Sequence, residues 1–292
     1  RNLLMNDRAL SKSLERLASG QKINRAADDP AALVISEHMR AQVSGMEQAI
    51  RNNEVAISLV QTAEGSMNEI SSILVSLRQR AISAANVGAS DQDMIDANQA
   101  EIENALASID RVVSTTQFGH YKLLDGTNAA QIETNEDGSI STREGLRFHV
   151  GPNAEHMAST SIRDMSTSSL GRVTVKEGEI PNKSNFMSLA DIDVRNEQGA
   201  QDALAIIDQA LTEVASVRGE LGAFQKHTLE SNLTSLQVAA ENMTAAESTI
   251  RDTDMAQELA TFTRNQIMTQ SATAQLAQAN AMPQHVLRLL NG

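Results

Sequence analysis

Six histidines, at 38, 120, 149, 156, 227 and 285, and two carboxylate pairs, Asp28-Asp29 and Asp252 with Asp254, are the side chains of this 292-residue chain best suited to chemistry. His149 and His156 flank a Gly-Pro-Asn turn, which could offer two imidazoles to a divalent metal. A zinc site needs three or four ligands, and no carboxylate stands at helical ligand spacing from either histidine. Solvated or structural histidine is the stronger reading. Both carboxylate pairs precede apolar helical patterns, where acidic side chains accept from free backbone N–H groups and sit at the positive end of the helix dipole. There is no glycine-rich phosphate loop and no nucleophile motif. With no cysteine, thiol catalysis, disulfides and Cys-based zinc sites are excluded. No catalytic, cofactor-binding or metal-ligating residue is assigned, and the chain does not read as an enzyme. Asn-x-Ser/Thr occurs at Asn182, Asn232 and Asn242. Two of these lie in helical patterns, and no sugar is assigned to any of them.

The residues available for a core say more. Aromatic content is 2%, so Ala, Leu, Ile, Val and Met must build it, which suits helix seams where small regular knobs interlock. Only four prolines are present, which permits long helices. The net charge of −13 argues against nucleic acid as a partner. Residues 1–17 carry +2 and residues 251–292 carry zero, which leaves −15 on the middle. Ends free of repulsion can pack together while an acidic middle faces water. No signal-peptide pattern and no apolar run of about 18 residues points to a membrane.

Leu3, Leu10, Leu14 and Leu17 mark one face of a first helix, from about Asn2 to Ser19, with Gly20 as its C-cap. Gln21 to Ala27 reads as an extended connector. Asp28-Asp29-Pro30 starts the next helix. Along it Met39, Met46, Val60, Met67, Leu74 and Ala81 recur in steps of seven or fourteen, with Asn53 at the skipped position. That predicts a helix of about 55 residues, roughly 80 Å long. A third helix is expected over about Asp91–Thr116. Residues 120–195 read as short strands and loops, with Leu146, Phe148 and Val150 alternating, then Ile162 and Met165, Val173 and Val175. Helix returns at about Asn196 with Ile207, Leu211, Val214 and Leu221, and Leu229 to Ile250 continue the face. After Arg251-Asp-Thr-Asp254 a last helix is expected to end at Met282-Pro283, followed by the apolar cluster Val286, Leu287, Leu289 and Leu290. The fold class is mainly α: an elongated, coiled-coil-like antiparallel rod built from both arms, with a small β-hairpin region in the middle. Short terminal helices are marginal alone, so sticky ends on such a chain point to burial against other copies of itself.

Several segments together resemble the bacterial flagellins. Leu14-Glu-Arg-Leu-Ala-Ser-Gly-Gln-Lys-Ile-Asn24, Ala26-Ala-Asp-Asp-Pro-Ala31, Ile57-Ser-Leu-Val-Gln-Thr-Ala-Glu-Gly65, Thr116-Gln-Phe118 and Phe148-His-Val-Gly-Pro-Asn-Ala154 are similar to the N-terminal signature. Ala246-Glu-Ser-Thr-Ile-Arg-Asp-Thr-Asp-Met-Ala256, Leu276-Ala-Gln-Ala-Asn280 and Pro283-Gln-His-Val-Leu287 are similar to the C-terminal one. The resemblance implies an inner helical polymerisation domain from residues 1–28 and 252–292. It implies an outer helical rod over 29–251, a β region at about 120–195, and no large variable outer domain. It also implies about fourteen residues, roughly four helical turns, ahead of Arg1.

Under that resemblance the expected function is a self-assembling subunit of the extracellular flagellar filament. The polymerisation residues are Leu3, Leu10, Leu14, Leu17, Leu276, Val286, Leu287, Leu289 and Leu290. Export chaperone, cap and junction proteins are expected partners, beside copies of the chain itself. Nucleic acid, membrane and cofactor are not expected. The alternatives are a hook–filament junction protein and a helical secreted binding module. The family's innate-immune receptor epitope reads Arg-x-Arg-x-Leu-Ala. Here Arg78 and Ala81 match, Ser76 replaces the first Arg, and Arg80 replaces Leu. Arg78, Ala81 and Glu101 are the implied contact residues of a weakened epitope.

Overall fold

The computed structural model describes residues 1–86, 91–129, 131–134, 140–143, 145–172 and 182–290, with backbone alone over 131–134, 140–143 and 281–290. The chain divides into two compact units, residues 1–46 with 238–292, and residues 47–237.

The first unit holds α1 (Asn2–Ser19), the start of α2 (Pro30–Ala85), the end of α5 (Ser231–Arg251) and α6 (Met255–Leu290). Gly20, in the left-handed conformation, ends α1 by donating its N–H to the Arg16 carbonyl at 2.8 Å. Asp29 starts α2: its Oδ1 accepts the N–H groups of Ala31 and Ala32 at 3.1 and 3.0 Å. Asp254 does the same for α6, accepting from Ala256 and Gln257. The connector after α1 is not simply extended. Gln21 makes an antiparallel bridge to Asp252, with Lys22 N–H donating to the Arg251 carbonyl at 2.7 Å and Thr253 N–H to that of Gly20 at 3.0 Å. α6 runs on through Pro283 to Leu290, past the stop expected at Met282-Pro283. Proline forfeits one hydrogen bond in a helix interior, but its fixed φ is helical, and Leu287, Arg288, Leu289 and Leu290 are good helix formers.

The second unit carries the main core. It holds most of α2, α3 (Gln92–Thr115) and α4 (Glu197–Ala223), a π-helical turn over Phe224–Glu230, and the start of α5. Met67, Ile70, Leu74, Leu77 and Ala81 of α2, Ile102 and Ile109 of α3, and Ile207, Val214 and Leu221 of α4 are all sealed from solvent. Ion pairs fix the direction of packing. Glu64 reaches Arg218 at 3.8 Å and Arg78 reaches Asp208 at 2.6 Å, so α2 and α4 run antiparallel. Val214, Leu221, Leu229 and Leu236 are buried in turn. Their spacing is seven, eight, seven. A heptad seam allows no eight, and the extra residue is absorbed by the wider π turn over Phe224–Glu230, which includes Leu229.

Among the described residues there are three antiparallel strand pairs: β1 (Gln117–Phe118) with β2 (Tyr121–Lys122), β3 (Gln131–Thr134) with β4 (Ile140–Arg143), and β5 (Leu146–His149) with β6 (Met157–Thr160). Ile162 and Met165 are buried but lie in coil rather than in strands. Val173 and Val175 lie outside the described residues. The molecule is mainly α with small β-hairpins, as the sequence pattern requires.

Candidate functional site

The carboxylate pairs and the histidine turn singled out by the sequence are engaged in structural contacts. Asp29 and Asp254 cap helices, Asp252 accepts the Ser248 hydroxyl at 2.6 Å, and Asp28 accepts from Lys12 at 2.6 Å and from the Arg25 N–H. The Lys12 ammonium and the Arg25 N–H hold the Asp28 carboxyl below the ordinary aspartate range. The turn between β5 and β6 is closed by its own backbone, with Val150 N–H donating to the His156 carbonyl at 2.9 Å. The His156 ring packs so closely on Gly151 that a Cβ there would stand 2.3 Å from Nδ1. Among the described residues no group of three His, Asp or Glu could hold a metal ion.

That turn is clamped onto the helices by three amides. Asn52 donates to the His149 carbonyl at 3.1 Å, and Asn53 and Asn232 both donate to the Val150 carbonyl, at 3.3 and 2.5 Å. Phe148 meets Phe224 of the π turn at 6.3 Å between centroids. The Val150-Gly-Pro-Asn motif is therefore a docking turn for two long helices. This also accounts for Asn232 as a structural amide. Asn182 is another, since it exchanges two 2.8 Å hydrogen bonds with Phe186.

The terminal helices form the distinctive surface. α1 packs on α6 within one chain, with Asn265 3.5 Å from the buried Ser13 hydroxyl and Arg16 3.6 Å from Glu258. The pairing is antiparallel and leaves apolar side chains uncovered. Leu3, Leu10 and Leu17 are half-buried, and Leu14 is half-exposed. Leu4 is 64% exposed and Ile267 61%, and Leu259 and Leu276 are exposed as well. Leu4, Leu259 and Ile267 were not among the residues singled out from sequence. Leu4 stands one residue from the selected Leu3, whereas Leu259 and Ile267 lie in a stretch of α6 where no apolar face was selected. Val286, Leu287, Leu289 and Leu290 lie in the last turns of α6, and their side chains lie outside the described residues.

The receptor-epitope residues are brought together only in part. Arg78 pairs with Asp208, which by hydrogen bond and charge raises the guanidinium pKa further. Arg80 pairs with Glu101 across α2 and α3. Ala81 is fully buried in the α2 core stripe, so it presents no surface to a partner.

Paired terminal helices that leave large apolar side chains exposed offer a surface suited to association. Sequence comparison gives the family. The bacterial flagellin N-terminal helical region matches residues 1–129 and the C-terminal helical region matches residues 204–290. The flagellin of Bacillus subtilis is 40% identical over 298 residues, 99% of this chain and 95% of that protein. The flagellar filament 30.7 kDa core protein of Treponema maltophilum is 38% identical over 291 residues, 100% of this chain and 95% of that protein. The chain belongs to the bacterial flagellin family. A solved structure described as a flagellar hook-associated protein of Vibrio parahaemolyticus superposes on 77% of this chain and 100% of its own, with a TM-score of 0.59. At 14% identity that likeness concerns the fold alone. No helix among the described residues is long and apolar enough to cross a membrane.

Proposed function

We propose that this chain is a structural subunit that self-associates into the helical filament of a bacterial flagellum, outside the cell. The observation that carries the reading is the set of large apolar side chains that the terminal helices leave exposed, Leu4, Leu14, Leu259, Ile267 and Leu276. Each such side chain gains when covered by a neighbour, at about 25 cal/mol per Å2 of apolar area, against the entropy of ordering the ends. Head-to-tail contacts whose rotation does not close generate filaments. Residues 1–28 and 252–292 form the inner, polymerising part and 29–251 the outer rod.

An open apolar surface must be shielded before assembly, which favours an export chaperone as an earlier partner and cap and junction proteins at the filament ends. Receptor recognition would fall on Arg78 and Glu101, both engaged in ion pairs here, and is weak. The hook–filament junction reading has the Ser19-Gly-Gln-Lys-Ile-Asn24 and Asp28-Asp29-Pro30 segments and a fold likeness behind it, but Leu276-Ala-Gln-Ala-Asn280 and Val286-Leu287 favour the filament subunit.

The test is electron microscopy of the purified full chain together with a chain lacking residues 272–292. The full chain is expected to form long filaments. The truncated one, with its second unit intact, is expected to stay a soluble helical monomer. Filaments of normal length from the truncated chain would refute burial of the C-terminal helix as the driving contact.

A further inference from the structure

The chain has no cysteine and no tryptophan but twelve methionines, so its oxidisable side chains are almost entirely thioethers. The described ones range from sealed to open, and Met94, Met157, Met187 and Met255 are exposed. Met67 is 0% exposed and Met165 1%, locked in the core of the second unit. Met5 of α1 is 62% exposed and Met268 of α6 is 46% exposed. These two also share a site. Both line one groove of about 390 Å3 between the terminal helices, with Asn2, Asn6, Ser271 and Gln275 around them. The other lining groups include amides and a hydroxyl that can donate hydrogen bonds, and no charged side chain is among them. The groove suits both states of the sulfur: an apolar thioether, and a sulfoxide whose oxygen needs donors.

We propose that Met5 and Met268 are a paired oxidation site at which a peroxide switches off self-association, an inference that rests on the assembly reading above. The sulfur lone pair attacks one peroxide oxygen. An S–O bond forms as the O–O bond breaks, the sulfur loses two electrons, and hydrogen peroxide leaves as one water after its proton moves to the departing oxygen. Atoms balance as one thioether and one hydrogen peroxide giving one sulfoxide and one water. The product is polar and chiral where the surface was apolar and adaptable. A neighbouring subunit seated on this groove meets two new acceptors in place of apolar area. Access also makes the site specific to the free subunit, because a groove covered by a neighbour is closed to peroxide.

The experiment uses the full chain as monomer, treated with hydrogen peroxide and followed by peptide mass spectrometry, circular dichroism and sedimentation. Met5 and Met268 are expected to oxidise at least tenfold faster than Met67 and Met165, with helix content unchanged. The critical concentration for polymerisation is expected to rise at least tenfold. Methionine sulfoxide reductases should restore it. The Met5→Leu, Met268→Leu chain should polymerise equally well before and after peroxide. Doubly oxidised protein that polymerises like untreated protein would overturn the proposal. So would a leucine variant that loses assembly on oxidation, since Met94, Met157, Met187 or Met255 would then carry the effect. Should the leucine variant not assemble at all, a chain with Met94, Met157, Met187 and Met255 replaced by Leu decides: it should still lose assembly on peroxide treatment, and one that keeps assembly would overturn the proposal. If the untreated chain never polymerises, the assembly reading fails instead, and equal oxidation rates at Met5 and Met67 would then refute the site itself.

Discussion

Asn53 occupies the one polar position of the α2 seam, between Met46 and Val60, and is wholly buried. Its Nδ2 donates to the Ala49 carbonyl at 2.8 Å and to that of Val150 at 3.3 Å, while its Oδ1 has no partner. Replacing it by Leu, which has a similar branched shape, sets four effects against one another. The long bond to Val150 is lost, about 0.5–1 kcal/mol, although that carbonyl keeps its 2.5 Å bond from Asn232. An orphan acceptor disappears, a gain of about 1–3 kcal/mol. Apolar burial adds about 1.5–3 kcal/mol, offset by crowding of about 1–3 kcal/mol. The balance favours Asn53→Leu by about 1 kcal/mol. Asn53→Asp keeps the shape and buries a carboxylate without a cation, so it should destabilise by about 3 kcal/mol or more at neutral pH. Urea unfolding of the monomer, followed by far-ultraviolet circular dichroism, reads both. A Leu variant less stable than the natural chain by more than about 1 kcal/mol would show that the clamp on Val150 outweighs the orphan acceptor. A neutral Asp variant would show that water reaches the site.

Gly65→Ala and Gly219→Ala meet nothing within 4 Å in helix interiors and should each raise stability by about 0.5–1 kcal/mol, read as a higher Tm. Gly199→Ala should instead lose more than about 2 kcal/mol, because its Cβ would lie 2.2 Å from the Asp193 carbonyl oxygen, a backbone atom that cannot swing away. Deleting Lys226 restores seven-residue spacing from Leu221 to Leu229 and should leave a folded chain. Deleting Ala210, within the regular seam, turns every later seam residue by about 100° and should abolish cooperative melting. The lowered pKa of Asp28 means that its contacts with Lys12 and Arg25 stabilise the fold above the ordinary aspartate pKa and are lost as pH falls through the lower folded value. Hydrogen exchange of α1 should accelerate across that acid window in the natural chain, with Asp28→Asn showing no such step.

Much of the fold was legible because helix seams repeat. The steps from Met39 to Ala81 predicted one unbroken α2, and its stripe is buried from Met46 onward. The π turn was legible too, in the eight residues from Leu221 to Leu229, but a reading that looks for continuity passes over a single extra residue. What pattern could not reach are contacts between residues distant in sequence. Arg251 is nearly buried and reaches Glu37 at 2.9 Å, and nothing local to either residue announces the pair.

The site divides the same way. Terminal apolar residues were legible as sticky, yet sequence could not tell that α1 and α6 would pair within one chain and so leave Leu3, Leu10 and Leu17 half-covered while Leu4 and Leu276 stay open. That partition decides what remains for a neighbour. A helix pair that satisfied its whole apolar surface internally would have no reason to polymerise, and one that satisfied none would be marginal and aggregation-prone in the free subunit. Ala81 shows the reverse case, since it belonged to both the core seam and the receptor motif, and one side chain cannot face both ways. The core claims it, with Ala84 and Leu77 sealed beside it. Where a motif residue coincides with a seam position, burial takes precedence, because the seam must be dry for α2 to pack.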